Sequence, residues 1–167
     1  MNIMWRSVAV GAAVAIVVIG ALFVYQKYGT GPSYVVPPPS GQYTNIQHDF
    51  TFTVPEGFEV IEKDNLVVLK DTQGNGLQLV ITRLGRDTEV LDEALIRRDL
   101  PDLVIKHPQP VSIAGAGTGL AFRGENPAFE GKSRELWFIE DGYLFQFITY
   151  DRLAPLLSAI YGTLKFF

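Results

Sequence analysis

The stretch RELWFIEDGYLFQFITY, residues 134–150, decides the fold. Its two halves, 134–139 and 143–150, are rich in aromatic and β-branched residues, which favour β-strands. Between them, Asp141 and Gly142 provide a tight hairpin turn, because both tolerate a positive φ. These two strands are also the most apolar ones predicted in the chain. We therefore expect an antiparallel hairpin in the middle of a sheet.

Shorter segments before and after this hairpin predict further strands and two helices. Alternating apolar residues or short apolar runs predict strands at 50–54, 58–62, 66–70, 77–83, 111–114 and 120–123. Apolar residues at helical spacing predict one helix that opens at Asp87-Thr88 and ends before Pro101, and another at 153–164. This order indicates an α+β fold, an antiparallel β-sheet flanked by helices.

An uninterrupted apolar run lies near the start of the chain. Residues 8–25 (VAVGAAVAIVVIGALFVY) contain no charged residue and no Pro. A helix of about 18 residues, at about 1.5 Å rise per residue, nearly spans the core of a bilayer. We predict a transmembrane anchor over residues 1–28. Six residues are expected to position this anchor, because they mark its limits, lie at the interface as aromatics or flank it as cations. They are Trp5, Arg6, Val8, Tyr25, Lys27 and Tyr28.

A cleaved signal peptide is the alternative for the same segment. Signal peptidase requires small residues at positions −3 and −1, but residues 23–28 (FVYQKY) are bulky throughout. We therefore favour an uncleaved signal-anchor. The bias of positive charge across the run is slight. We favour a single-pass protein of the cytoplasmic membrane with its domain on the extracytoplasmic side, and a domain that faces the cytoplasm is the alternative.

A Pro- and Gly-rich segment, residues 29–45, follows the predicted anchor. Three consecutive prolines at 37–39 favour an extended polyproline conformation. We interpret the segment as a linker that separates the membrane from a soluble domain at 46–167. A domain of this length is close to the usual size of a single domain.

Charge and cysteine content exclude several classes of protein. All 18 Asp and Glu residues lie at or after Asp49, whereas two of the 14 Lys and Arg residues precede it, which leaves the domain with a net charge of roughly −6. Such a domain repels nucleic-acid phosphates and anionic lipid. The chain has no Cys, so disulfides, zinc–thiolate sites and a Cys nucleophile are excluded.

Three segments of the domain resemble the PsbP-like fold, the fold of an extrinsic lumenal subunit of photosystem II. Residues 50–58 (FTFTVPEGF) resemble the family's opening F-x-x-P-x-G-(F/W), and residues 137–145 (WFIEDGYLF) resemble its dG-x-x-Y strand pair. Residues 164–166 resemble its i-x-x-S-F ending, although Thr163-Leu164 replaces the usual Ser-Phe.

This resemblance covers nearly the whole domain and implies an α/β/α sandwich. Members of the fold mostly act as accessory or adaptor subunits, so the resemblance implies a non-enzymatic protein that binds a partner. It carries no functional residue over to this chain. Neither the long N-terminal arm of the photosynthetic members nor the Ran contacts of an import factor with this fold have a counterpart in the sequence. Fold alone does not determine function.

The sequence offers no clear constellation of catalytic or metal-binding residues. His48 and Asp49 are adjacent, so their side chains point apart on an extended chain. These two residues, His107 and Asp102 form a metal site only if the fold brings them together, and no HxH or HxxxH spacing supports it. The Gly-rich residues 114–119 precede a predicted strand, which favours a hairpin turn over a phosphate-binding loop. We predict no catalytic residue, no metal site and no cofactor.

Phe129 is the residue to which we assign a candidate partner contact. It lies in a polar loop, residues 124–133 (GENPAFEGKS), and an aromatic side chain on a loop can anchor a protein partner. We expect a membrane-tethered, non-enzymatic accessory domain that binds or helps to assemble a protein complex on the extracytoplasmic face. The alternative is a small-ligand-binding or enzymatic domain with a pocket between sheet and helix.

Overall fold

The structure, a computed structural model, describes residues 34–84, 91–125 and 132–167. These residues form two antiparallel sheets, two short α-helices and one 3₁₀ turn. The elements are β1 (Pro39–Asn45), β2 (Phe50–Pro55), β3 (Glu59–Lys63), β4 (Leu66–Lys70), β5 (Gly76–Arg83), α1 (Glu93–Asp99), β6 (Val104–Ile113), β7 (Gly117–Glu125), β8 (Lys132–Glu140), β9 (Tyr143–Tyr150), the 3₁₀ turn (Asp151–Leu153), α2 (Ala154–Tyr161) and β10 (Lys165–Phe166).

Strands β8 and β9 lie in the interior of the larger sheet, as the sequence predicts. Its strands are ordered β3-β4-β5-β9-β8-β7-β6, and every pair is antiparallel. Phe138 on β8 pairs with Phe145 on β9, and their stacked rings have centroids 5.0 Å apart. Asp141 and Gly142 join the strands with φ values of 45° and 72°, which are the left-handed values that a two-residue hairpin turn requires.

The larger hydrophobic core lies between one face of this sheet and a second layer. That layer consists of α2 and the three-stranded sheet β1-β2-β10. Phe50 and Phe52 of β2 are fully buried, in agreement with the alternating pattern of their strand. Helix α2 contributes Leu156, Leu157 and Ile160. Removal of this apolar surface from water is the main force that holds the two layers together.

Helix α1 covers part of the opposite face of the larger sheet. The Oδ1 atom of Asp92 accepts a hydrogen bond of 2.8 Å from the backbone N–H of Leu95 and so caps the helix. Ile96 is fully buried beside Trp137 in a second, smaller core. Trp137 and Phe138 are consecutive on β8, so they project from opposite faces and belong to different cores. The predicted α+β architecture, a mainly antiparallel sheet with helices on both faces, is confirmed.

The folded part of the chain begins earlier than residue 46. Pro39–Asn45, which the sequence assigns to the linker, form β1 and pair with β2. The ring of Tyr43 lies 5.1 Å from that of Phe52, so packing against β2 adds to the pairing. The folded domain therefore includes residues 39–45.

Helix α1 begins later than predicted. Leu91 and Asp92 are not helical, so a continuous helix from Asp87 is wrong, and residues 85–90 lie outside the described residues. The side chain of Asp92 sets the start of the helix. It accepts a backbone N–H of the first turn and so takes the place of the carbonyl that an additional preceding turn would provide. Helix α2 is likewise shorter than the predicted 153–164.

Strand β6 is much longer than the predicted segment 111–114. It contains Pro108 and Pro110, which argue against a central strand. In the structure β6 is an edge strand, so the missing N–H groups need no partner strand. A register shift between Lys106 and Gln109 interrupts its pairing with β7. Prolines and an irregular register protect such an edge from unwanted pairing with another chain.

Candidate functional site

Three side chains of β8 form a hydrogen-bonded ladder on the face that α1 covers. Ser133, Glu135 and Trp137 alternate along the strand and therefore project from one face. The Ser133 hydroxyl donates to Oε1 of Glu135 over 2.5 Å, and the Trp137 indole Nε1 donates to Oε2 over 2.9 Å. Glu135 is only 3% exposed. The carboxyl group is thus enclosed in the interior and bonded to its own strand.

Burial changes the acidity of this carboxyl group. It raises the pKa of Glu135 to about 7, and the hydrogen bonds from Ser133 and Trp137 offset this rise only in part. Gly124 on the neighbouring strand β7 provides the space, because a Cβ atom there would collide with the Ser133 hydroxyl and the Glu135 carboxyl. A carboxyl with such a pKa gains and loses its proton near neutral pH.

Gln78 adds a second polar group to the same face. It pairs with Ile148, which in turn pairs with Glu135, so the three residues form one cross-strand row. Gln78 is 1% exposed, and neither polar atom of its carboxamide has a hydrogen-bond partner in the part of the chain that the structure describes. A buried amide without partners costs about 1–3 kcal/mol. Two strand spacings, about 10 Å, separate it from Glu135 along the row.

Neither residue was predicted from the sequence as part of a site. Gln78 lies between two leucines, and Glu135 lies between Arg134 and Leu136, so both look like polar residues on a strand face in water. A signal was nevertheless present. Trp137 and Val80, two positions further along on the same face, are apolar. A polar residue beside a large apolar one on the same strand face is informative because burying it is costly.

The histidines and nearby acids do not converge on one site. His48 lies in the turn between β1 and β2, where its ring contacts that of Tyr143 at a centroid distance of 4.8 Å. Asp49 beside it is exposed, and Asp102 follows α1. His107 is exposed on the edge strand β6. Among residues 34–84, 91–125 and 132–167, no three or more His, Cys, Asp or Glu residues lie close enough to hold a metal ion.

The chain enters the domain at one end of the sandwich. We name this the near end, defined by residues 34–38, the turn 71–75 and Arg152. Tyr34 packs against the larger core, and partial burial raises the pKa of its hydroxyl, with a further contribution from Asp71. The backbone N–H of Glu56 donates to the Pro38 carbonyl over 2.7 Å. These contacts attach the segment before β1 to the folded domain.

Several predicted site residues lie outside the described residues. They are the anchor positions Trp5, Arg6, Val8, Tyr25, Lys27 and Tyr28, and the candidate partner contact Phe129. Within the described ranges, no helix combines the length and the apolar character needed to cross a bilayer. The anchor at residues 8–25 and the contact through Phe129 stay predictions.

Comparison with solved structures identifies the fold. The solution structure of the cyanobacterial PsbP protein CyanoP from Synechocystis sp. PCC 6803 aligns with 86% of this chain and 99% of its own length, with a TM-score of 0.53 and 13% sequence identity. No protein-family model and no curated protein matches the chain. At this identity the likeness defines the fold alone. The chain has a PsbP-like fold, as the resemblance of residues 50–58, 137–145 and 164–166 predicts.

Proposed function

We propose that the protein is a membrane-tethered, non-enzymatic accessory domain that binds or helps to assemble a partner protein complex on the extracytoplasmic face of the cytoplasmic membrane. One observation carries the proposal. The apolar run at residues 8–25 is joined by a short Gly- and Pro-containing segment to a domain with a PsbP-like fold. The family resemblance implies an accessory role, and the anchor would restrict that role to the membrane surface.

The length of the connection favours a domain held close to the bilayer. Five residues, 29–33, separate the predicted anchor from Tyr34. An extended chain of this length reaches at most about 20 Å. Since Tyr34 packs against the domain at the near end, that end would face the membrane.

A cross-linking experiment in the native membrane tests this function. The full-length protein is mildly cross-linked and purified by affinity beside a variant that lacks residues 1–28. A third variant, in which residues 8–25 are replaced by an unrelated apolar helix of equal length, is the matched control. We expect a defined complex from the full-length protein and from the anchor exchange, and a reduced or absent complex without residues 1–28. Background recovery from all three proteins contradicts the proposal.

Protease accessibility tests the orientation separately. In spheroplasts, added protease should digest the domain at residues 46–167 if it lies outside the cytoplasmic membrane. A cytoplasmic protein of known location serves as the internal control for intact membranes. Protection of the domain until the spheroplasts are lysed supports the cytoplasmic alternative instead.

Small-ligand binding between the larger sheet and α1 is the second candidate function. The unpartnered carboxamide of Gln78, buried on that face, is the observation that favours it. A polar ligand that pairs with this amide would recover the cost of its burial. A thermal-shift screen of small amides and carboxylic acids, with Gln78→Leu as the control, tests this function. A compound that stabilises the natural protein and not the variant supports it.

A further inference from the structure

The end of the sandwich opposite the near end consists of turns from both sheets. We name this the far end, defined by the turns 46–49, 64–65 and 141–142 and by Phe167. Strand β5 starts beside the near-end turn 71–75 and ends at Arg83, which pairs with Tyr143 next to the turn 141–142. Strands β3 and β4 run between the same two ends, so their connecting turn lies at the far end as well.

Contacts between the two sheets and within each of them hold the far end together. The His48 ring packs edge-on against Tyr143, with centroids 4.8 Å apart. The backbone N–H of Phe167 donates to the Asp49 carbonyl over 3.0 Å, and that of Leu84 donates to the Gly142 carbonyl over 2.8 Å. These two hydrogen bonds lie within the smaller and the larger sheet, respectively. The sheets are joined at this end by the His48–Tyr143 contact and by the hydrogen bond of 3.1 Å from Asn45 to Glu62.

Two large apolar side chains project into water from this surface. Ile46 is 82% exposed and Phe167 is 69% exposed. Single exposed apolar residues are ordinary, but these two belong to the same turn. Ile46 is its first residue, and the backbone N–H of Phe167 bonds to its last residue, Asp49. Exposed apolar side chains held on a rigid support and surrounded by polar residues are typical of a protein-binding surface.

Acidic residues outnumber basic ones at the far end, five to three. Among the described residues of the three turns and the adjoining strand ends, the acidic ones are Asp49, Glu62, Asp64, Glu140 and Asp141, and the basic ones are Lys63, Arg83 and Lys165. Partial burial raises the pKa of Glu140, and the neighbouring charge of Asp141 raises it further. The excess of two acidic residues gives the far end a net negative charge, which attracts cationic side chains.

We propose that the far end docks a basic protein partner, whose apolar contact rests on Ile46 and Phe167 while its Lys and Arg side chains face the surrounding carboxylates. This rests on the proposed function, because the tether directs the near end toward the membrane and the far end away from it. Negative charge disfavours anionic lipid and nucleic acid as occupants. Charge complementarity with a basic protein accelerates its encounter and orients it.

Site-specific photo-cross-linking in the full-length, membrane-bound protein tests the location. The photoreactive residue p-benzoylphenylalanine is introduced in turn at the positions of Ile46 and Phe167. The controls are Val35, which is 84% exposed at the near end, and Val104, which is exposed on the edge strand β6. We expect the two far-end positions to yield an adduct with one protein whose cross-linked peptide, identified by mass spectrometry, is rich in Lys and Arg.

Charge variants test the chemistry of recognition. Asp49, Asp64 and Asp141 have φ values of 52°, 53° and 45°, and Asn adopts this left-handed conformation readily. The triple variant Asp49→Asn, Asp64→Asn, Asp141→Asn therefore removes charge and keeps the turns. We expect its adduct yield at limiting partner to fall roughly tenfold. A control with equal loss of charge elsewhere, Glu56→Gln, Glu59→Gln, Asp102→Asn, should leave the yield unchanged.

The remaining outcomes overturn the docking surface in distinguishable ways. An adduct from Val35 or Val104, with none from the far end, places the partner elsewhere and leaves the accessory function intact. A lipid adduct or a second copy of this chain at Ile46 contradicts the basic protein partner. An equal loss of adduct yield in both triple variants shows that the total charge of the domain matters. It contradicts specific recognition by the far-end carboxylates. The absence of any protein adduct and of any complex from the full-length protein refutes both the surface and the proposed function.

Discussion

The indole nitrogen of Trp137 donates a hydrogen bond of 2.9 Å to the carboxyl group of Glu135, two residues earlier on β8. This bond and that from Ser133 favour the ionised carboxylate, whereas burial favours the neutral acid. Burial dominates, because it raises the pKa of Glu135 to about 7. Glu135 therefore keeps a proton in the folded state at pH values where the unfolded chain has already released it.

The variant Glu135→Gln should make the protein less sensitive to pH. Below the ordinary glutamate pKa of 4.5 both states are protonated, so the carboxyl has no cost. As the pH rises from 4.5 to about 7, the natural protein loses stability relative to the neutral Gln variant. At 1.36 kcal/mol per pKa unit, the full difference in unfolding free energy is about 3 kcal/mol. Thermal unfolding followed by circular dichroism from pH 4.5 to pH 8 measures it.

A matched variant separates this effect from other titrations. Glu140→Gln removes a carboxyl at the end of the same strand, where the pKa is also raised but the side chain is only partly buried. The stability of Glu140→Gln should change with pH nearly as that of the natural protein does. The stability of Glu135→Gln should change much less. A constant difference between the natural protein and Glu135→Gln across this pH range is the result that contradicts a protonated, buried Glu135.

Gly124→Ala should strongly destabilise the fold by disrupting the same site. An added Cβ would collide with the Ser133 hydroxyl and the Glu135 carboxyl and would approach Leu103 to 3.1 Å. Overpacking of this kind costs about 1–3 kcal/mol, and separating Ser133 from Glu135 adds to it. Denaturant unfolding measures the change. Gly41→Ala is the control, since nothing lies within 4 Å of its added Cβ; equal stability of the two variants would argue against the close packing at Gly124.

The central architecture was predictable because its sequence signals are local. The strand pattern of 134–150 and the Asp141-Gly142 turn together determine the hairpin, and the two strands are apolar enough to need cover on both faces. The alternating phenylalanines of β2 indicated a half-buried strand for the same reason. In each case the residues that carry the signal are those that make the contact.

The elements that depend on distant partners were not predictable. Strand β1 has few apolar residues, and it pairs because β2 offers a free edge and Tyr43 a ring contact. Strand β6 tolerates its prolines because it lies at a sheet edge, which local sequence does not reveal. The local sequence places Glu135 on a face in water, and only the packing of α1, from a distant part of the chain, covers that face. Likewise, Phe167 reaches the turn that contains Ile46 only because β10, distant in sequence, pairs with β2.

Asn45→Ala should destabilise the connection between the two sheets. The buried Asn45 side chain donates to the Tyr43 hydroxyl over 3.0 Å and to the Glu62 carboxylate over 3.1 Å. Its Oδ1 atom also accepts the backbone N–H of His48 over 2.9 Å. Loss of a buried side chain with three hydrogen bonds should cost about 1–3 kcal/mol in unfolding free energy, measured by urea denaturation.

The neighbouring Gln47 supplies the comparison for Asn45. It lies in the same turn and is exposed, so Gln47→Ala should change the unfolding free energy by less than about 0.5 kcal/mol. Tyr43→Phe removes two bonds of the network, the one that its hydroxyl donates to Glu62 over 2.7 Å and the one that it accepts from Asn45. It keeps the Asn45 bonds to Glu62 and His48 and should have an intermediate effect. Identical urea midpoints for Asn45→Ala and Gln47→Ala would mean that this network does not stabilise the fold.

A soluble chain that starts at residue 34 should fold much more stably than one that starts at residue 46. The shorter chain lacks β1, so the edge of β2 loses its pairing and the Tyr43 ring no longer covers Phe52. A chain that starts at residue 39 keeps β1 but loses the packing of Tyr34 and Val36 against the core, which should cost about 1–3 kcal/mol. Urea unfolding followed through Trp137, the one tryptophan in all three chains, ranks them. Equal midpoints for the chains starting at residues 34 and 46 would show that β1 contributes nothing to the fold, and the domain would then begin where the composition of the sequence first suggested.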